Sequence, residues 1–463
     1  MQGWAFRAGT VAAFVASFSL AAAPAFAQQG QRQQKPQTII RDAEIEQLMR
    51  EYAMPVMRAA GINAPATKIV LLGDRAFNAF VADGKRIFIN VGALMESETP
   101  NQVIGIFAHE SGHIAGGHLA RLRQELLKAQ IIAIAGMLLG GAAIAASARG
   151  NAVGMSGNAP AGILLGGPEI AMRSLLAYQR GEEGAADRAA VNYLDKTGQG
   201  AQGMIETFQR FNQQRMFANA NIDRYTISHP LPQDRVAALE NVARASPNFG
   251  KKDSPALQAR HDMMRAKLFG FVARQDEVLR RYPASDASLA ARYARAISAY
   301  RFKRIDEAQA QIDGLIRERP GSPWFWELKG QALLENGRAR EALAPLRKAV
   351  TLSGGHPLIR MMLGHALIST ESAKDADEAL KHLQIAMQRD PDAAEGWQWL
   401  ARAYARKGNE PMAALASAQG YFAQGAYEES RRLARRAKAG LPENSPGWRQ
   451  ADDIFNHVPE KKG

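Results

Sequence analysis

The 463-residue chain is longer than one hydrophobic core normally serves, so two or more domains are expected. Its composition, 46% hydrophobic and 22% charged, is globular, and its formal net charge of +13 comes from basic residues spread along the chain, without the dense tract of a nucleic-acid-binding arm. Because cysteine is absent, disulfides, a thiol nucleophile, thiolate metal ligands and a lipid-modified cysteine are excluded, and any metal must be held by His and carboxylate side chains.

The first element read along the chain is an export signal. "MQGWAFR" carries one basic residue, "AGTVAAFVASFSLAAA" is apolar, and Ala25-Phe26-Ala27 has the small-x-small pattern of a cleavage site, so residues 1–27 are expected to be cleaved off on export. Residues 28–40, opening with "QQGQRQQKPQ", are expected to form a disordered leader. A helix follows from Asp42, its N-cap, to Ala60. "KIVLL" and "AFVADGKRIFIN" are strand-like, with Asp83-Gly84 as a hairpin signal.

The stretch from Thr99 and Pro100 through "HLARLRQELLKA" predicts one long helix. The charge-free run 129–148 is of membrane-spanning length but rich in Gly and Ala, which favours a buried or interfacial helical hairpin with peripheral membrane contact over a span. A second long helix, "PEIAMRSLLAYQRGEEGAADRAAVNYLDKTG", and a third over 201–219 complete a domain expected at 41–245.

The polar stretch "ASPNFGKKDSP" at 245–255 is the expected boundary. Beyond it, over 255–450, Ala308, Ala342, Ala379 and Ala413 fall in register about one helix pair apart. Gly330 and Gly364 mark close helix approaches, and Trp326 and Trp397 recur with Pro320 and Pro391. This is the tetratricopeptide pattern, in which helix pairs stack into an α-solenoid because none can bury its apolar face alone.

The chemistry sits in "HESGH" at 109–113. On a helix His109 and His113 lie one turn apart on one face and can offer two imidazole nitrogens to one metal ion. Glu110, beside that face, can take a proton from water and return it to a leaving amine. This H-E-x-x-H arrangement belongs to zinc-assisted peptide hydrolysis. His118 is excluded as a third ligand, because on a continuing helix it lies about 140° around from His113. Glu183 and Asp187 in "GEEGAADRA" share a face, so Glu183 can complete the site while Asp187 holds a ligand His through its other nitrogen. Glu182 is the fallback ligand, and the alternative is a set of solvated helix acids near Arg180 and Arg188.

"AHESGHIAGGHLAR", the E-x-x-x-D helix, "SHPLPQDR" and the repeat array together resemble the M48 metallopeptidase family, in its periplasmic branch with C-terminal tetratricopeptide repeats. The resemblance implies a mainly α, gluzincin-type metallopeptidase domain with a small β-sheet. One Zn2+ per chain would be held by His109, His113 and Glu183, with Glu110 as general base and Asp187 at the family's acidic position. It implies that "NAF" at 78–80 and the strand after it offer an edge to extended substrates. His229 matches a His-Pro element, which could donate to an oxyanion or occupy the open metal position. The position two after Glu183 departs from the family, being Ala185 where Glu is usual. Implied substrates are unfolded or misassembled outer-membrane proteins, and the implied partner is the β-barrel assembly machinery, with no nucleic acid. A non-proteolytic scaffold acting through the solenoid, its zinc capped, is the alternative.

Overall fold

The computed structural model of the protein describes residues 38–148, 159–217, 229 and 233–459; the expected signal peptide and the leader up to residue 37 lie outside them. The chain divides into two compact units: Leu48–His261, and Asp262–Gly463 with the described part of Met1–Gln47.

The first of these units contains most of α1 (Ala43–Ala59), the strands β2 (Lys68–Leu72), β3 (Ala79–Val81) and β4 (Arg86–Asn90), and the short α2 (Val91–Glu96). Then come α3 (Pro100–Gly116), α4 (His118–Ala148), α5 (Ala159–Lys196), α6 (Gln202–Phe217) and α7 (Gln233–Arg244). The two-residue β1 (Ile39–Ile40) belongs to the other unit; within this one the sheet is mixed and has the order β2-β4-β3. β2 runs parallel to β4, and β3 runs antiparallel to it with Phe80 opposite Phe88, their rings stacked at 5.2 Å. Gly84, at φ +74°, supplies the left-handed residue of the turn between β3 and β4. Phe77, Phe107, Phe208 and Phe211 are among the large side chains fully buried in the core.

The single long helix expected across "HESGH" is two helices. Gly117 adopts φ +65° and its N–H bonds back to the carbonyls of His113 and Ile114, a left-handed cap that ends α3 and redirects the chain into α4 at His118. The run 129–148 lies on α4. Leu127, Ile131, Ile132 and Ile134 on α4 and Met172 and Leu176 on α5 are exposed, and the side chains from residue 135 to 148 lie outside the described ones. Among the described residues no helix is long and apolar enough to cross a membrane.

The second unit is a run of helices that begins within α8 (Pro255–Val272) and continues through α9 (Gln275–Arg281), α10 (Leu289–Arg301), α11 (Ile305–Glu318), α12 (Pro323–Glu335), α13 (Ala339–Leu352), α14 (Pro357–Ser369) and α15 (Ala373–Arg389). It ends with α16 (Ala394–Arg406), α17 (Glu410–Ala423), α18 (Tyr427–Gly440) and α19 (Pro446–Asn456). Ala308, Ala342 and Ala379 are fully buried, and Trp326 and Trp397 donate to the Pro320 and Pro391 carbonyls at 2.9 and 2.8 Å, so the sequence repeat is a structural one. A Cβ on Gly364 would stand 2.4 Å from Leu383 Cγ. Gly364→Ala is therefore expected to destabilise this unit by about 1–3 kcal/mol through overpacking, despite alanine's better helix propensity. An unshifted urea midpoint would show that Leu383 yields freely.

Candidate metal centre

Local sequence explains why α3 carries its motif where it does. Thr99 caps the helix and Pro100 occupies its first turn. Asn101 ties that turn to α6, accepting from the Gly203 N–H at 2.7 Å and donating to the Gly200 carbonyl at 2.6 Å. Gly112, inside the motif, lets α3 approach α5 closely, since a Cβ there would lie 2.9 Å from the Ala186 carbonyl oxygen. That approach brings Glu183 and Asp187 of α5 over the two histidines.

Four side chains converge. His109 Nε2 stands 3.0 Å from His113 Nε2, 3.4 Å from Glu183 Oε2 and 3.4 Å from His229 Nδ1. Glu183 Oε1 is 3.4 Å from His113 Nε2 and 3.1 Å from His229 Nδ1. The four donor atoms lie within 4.8 Å of one another. Protonation makes the cluster informative. His109 turns its Nδ1 to Asp187 Oδ1 at 2.9 Å, and His229 turns its Nε2 to the Ala79 carbonyl at 3.2 Å. Both partners only accept, so the hydrogens sit on those nitrogens and the lone pairs of His109 Nε2 and His229 Nδ1 point at the Glu183 carboxylate. Lone pairs packed this closely repel unless a cation sits among them. The separations also suit the edges of a tetrahedron with metal bonds near 2.0–2.1 Å, about 3.3 Å each. An imidazole and carboxylate donor set of this kind could hold a metal ion.

The surroundings are charged and dry. Arg235 of α7, buried, bonds Asp187 through Nε at 2.6 Å and Nη2 at 2.9 Å, and reaches Glu183 Oε2 through Nη1 at 2.9 Å. Burial would raise the Asp187 carboxyl, but hydrogen bonds from Arg235 and His109 hold it below its ordinary value. Glu183 is lowered in the same way, burial being outweighed by His229 and His109. His113 is pushed down to about 2 by burial and by its neighbour His109. Burial opposes a charge on His109, yet Asp187 and Glu183 raise it to about 10, so a proton is strongly held wherever no other cation serves these carboxylates. Glu110 is fully buried and burial pushes its carboxyl up; neither oxygen has a hydrogen-bond partner among the described residues, and His229 Nε2 is 3.5 Å away.

Of the residues singled out in the sequence, His109, His113, Glu183 and His229 meet in one cluster, Glu110 borders it, and Asp187 stands behind His109. Glu182 points away from the cluster and pairs with Arg121 and His118 at 2.7 and 2.9 Å. His118 lies outside the cluster too, but the premise used to exclude it fails: with α3 ended at Gly117, its ring returns to 2.9 Å from His113 Nδ1. Arg235 carried no signal in the sequence beyond its place in "SHPLPQDR". The edge-strand position of "NAF" has a definite form. Asn78 directs its carbonyl to Asn90 of β4, so Ala79, one residue on, directs its own carbonyl to the other side, where His229 takes it.

Residues 40–243 match the family described as Peptidase family M48, and residues 293–357 and 372–421 match the tetratricopeptide repeat. The chain is 24% identical over 345 residues to the Beta-barrel assembly-enhancing protease of Yersinia pestis, covering 73% of this chain and 68% of that one. With the protein of that name from Escherichia coli K12 it shares 24% identity over 408 residues, 85% of this chain and 78% of the other. The Putative beta-barrel assembly-enhancing protease of Vibrio cholerae is 26% identical over 388 residues, 81% and 75% of the two chains.

Proposed function

We propose that this chain, a metalloprotease with a peptidase family M48 domain ahead of tetratricopeptide repeats, is a zinc-dependent endopeptidase of the periplasm that acts on unfolded or misassembled outer-membrane β-barrel proteins. The observation that carries the reading is the convergence of three imidazoles and one carboxylate whose lone pairs need a cation, beside a buried carboxylate without a hydrogen-bond partner among the described residues. His109, His113 and Glu183 are the ligands, and Asp187, clamped by Arg235, orients His109. Bound zinc would supply a water of pKa near ~7 and polarise the scissile carbonyl. Glu110, in a dry pocket that raises its proton affinity, would take a proton from the attacking water and deliver it to the leaving amine. The outward carbonyl of Ala79 is the kind of main-chain group that fixes an extended peptide by β-addition.

His229 occupies both places such a reaction needs. Its Nδ1 fills the fourth position of the cluster and its Nε2 takes the Ala79 carbonyl, so the arrangement is a closed one and His229 is a cap. His229→Ala is expected to raise cleavage of an unfolded β-barrel polypeptide about tenfold, the gain if the cap is closed about nine-tenths of the time. A fall in turnover would instead assign His229 to oxyanion stabilisation. The solenoid would deliver substrates or dock on the β-barrel assembly machinery, and the exposed apolar side chains of α4 and α5 would serve peripheral membrane contact. Cleavage by zinc-loaded protein that stops on chelation and returns with zinc tests the whole reading. If zinc-loaded protein and its His229→Ala variant both fail to cut, the scaffold reading replaces it.

A further inference from the structure

We propose that His118 is a positioning residue for the metal ligand His113, the middle member of a fixed chain that runs His113, His118, Glu182, Arg121. The inference rests on the metal-site reading above and assigns a role to a histidine that the spacing of the motif leaves unused.

The direction of every hydrogen in the chain follows from its far end. Arg121 Nη2 donates to Glu182 Oε2 at 2.7 Å, which holds that oxygen in place as an acceptor. His118 Nε2 lies 2.9 Å from the same oxygen, so Nε2 carries the hydrogen and donates. A neutral His118 then has its lone pair on Nδ1, which lies 2.9 Å from His113 Nδ1. His113 must therefore carry its hydrogen on Nδ1, leaving Nε2 bare and aimed at His109 and Glu183. Fixing the tautomer and the ring plane in this way, and lending negative character to the ligating nitrogen, is what a partner on the remote nitrogen does for a ligand histidine. His109 obtains it directly from Asp187. His113 obtains it through an intervening imidazole.

The backbone is built for this contact. Gly117 turns the chain so that His118 opens α4 and its ring folds back over α3. Gly116 leaves room for that ring: a Cβ there would stand 2.1 Å from His118 Nε2 and 2.4 Å from Cδ2. The ring is buried, held at both nitrogens and cannot swing aside without giving up a partner.

The test is zinc binding itself, by competition with a chromogenic chelator, on full-length wild type, His118→Phe, His118→Asn and Glu182→Leu, with the release rate and circular dichroism of each. His118→Phe keeps a ring of similar size but no acceptor, and is expected to bind zinc about 10–100-fold more weakly and release it faster. His118→Asn loses the ring but offers an oxygen near the Nδ1 position, and is expected to recover most of the affinity. A packing role predicts the reverse order, with Phe tolerated and Asn damaging, and that order overturns the inference. Should His118→Phe fail to fold, Glu182→Leu decides: weakened zinc binding with unchanged helix content supports the chain, and unchanged affinity refutes it. Wild type that binds no zinc at all would defeat the metal-site reading on which the chain depends, a result distinct from equal binding by all variants.

Discussion

Replacing Glu110 by Gln is expected to lower peptide cleavage by about 10²–10⁴-fold while leaving one zinc bound per chain. The size follows from the role. Glutamine has nearly the shape of glutamate, so packing in a fully buried position is preserved, but it can neither accept the water's proton nor pass it to the leaving nitrogen. The carboxylate oxygens have no hydrogen-bond partner among the described residues, so their loss breaks no bond that holds the fold. Stability should therefore be unchanged or improved, since an ionisable group in a dry pocket is replaced by a neutral one. Metal analysis beside a single-turnover assay separates the outcomes. Cleavage that survives in Glu110→Gln would remove this carboxylate from the chemistry, and loss of zinc together with activity would mean that it supports the ligands instead.

The second large effect lies in the solenoid unit. Lys267 of α8 is buried, and its Nζ meets Asp42 Oδ2 at 2.8 Å, Glu44 Oε2 at 3.2 Å and Glu327 Oε2 at 3.7 Å; Tyr293 donates to Glu44 at 3.0 Å. Asp42 also caps α1, accepting from the Ile45 N–H at 2.9 Å, while Glu46 reaches back to the Asp42 N–H at 3.2 Å, a reciprocal capping box. One lysine thus ties the start of α1 to the solenoid helices α8 and α12. Lys267→Met keeps the aliphatic stem but strands the buried acids at the start of α1, Asp42 first among them, without a counter-charge, and should destabilise the unit by about 3–5 kcal/mol. Urea unfolding followed by tryptophan fluorescence reads this, because Trp324, Trp326, Trp397, Trp399 and Trp448 all lie in this unit. A shift under 1 kcal/mol would mean that the acids take up protons at no cost.

The same cluster sets a pH dependence. Burial pushes the Glu327 carboxyl up to about 8, against the pull of Lys267, from an ordinary value of 4.5. The folded state therefore binds a proton that the unfolded state has released, and the stabilisation linked to that proton is complete below about pH 4.5 and lost as pH rises through about 8. Wild type should weaken between pH 6 and 9 relative to Glu327→Gln, which holds the neutral form at every pH. Parallel stability curves for the two proteins would show that Glu327 is already ionised at the lower pH.

Some of this was readable from residues alone because it is local. The helical period puts His109 beside His113 and Glu183 beside Asp187 whatever else the chain does, and the recurrence of alanine, glycine and tryptophan marks the repeat units. Helix termination was the first failure. Two consecutive glycines inside an otherwise periodic run gave weak local grounds for a break, and the left-handed Gly117 that ends α3 moved His118 from a remote face to within hydrogen-bonding distance of His113. Arg235 could not have been chosen over the other arginines of the chain, because nothing in its neighbours says that α7 will lay it against two carboxylates of α5.

What the sequence by itself determined, then, is the set of groups that share a helix face and the stacking of helix pairs, since both depend on spacings within one element or its repeat. Only the tertiary structure decided that Glu183 and not Glu182 turns to the histidines, that His229 reaches the cluster and the Ala79 carbonyl together, and that His118 backs His113. Those choices depend on how closely α5 approaches α3 at Gly112, on the rotation of each helix about its axis, and on contacts across 46 to 150 residues of chain. Packing of many side chains at once fixes these quantities, and no short stretch encodes them.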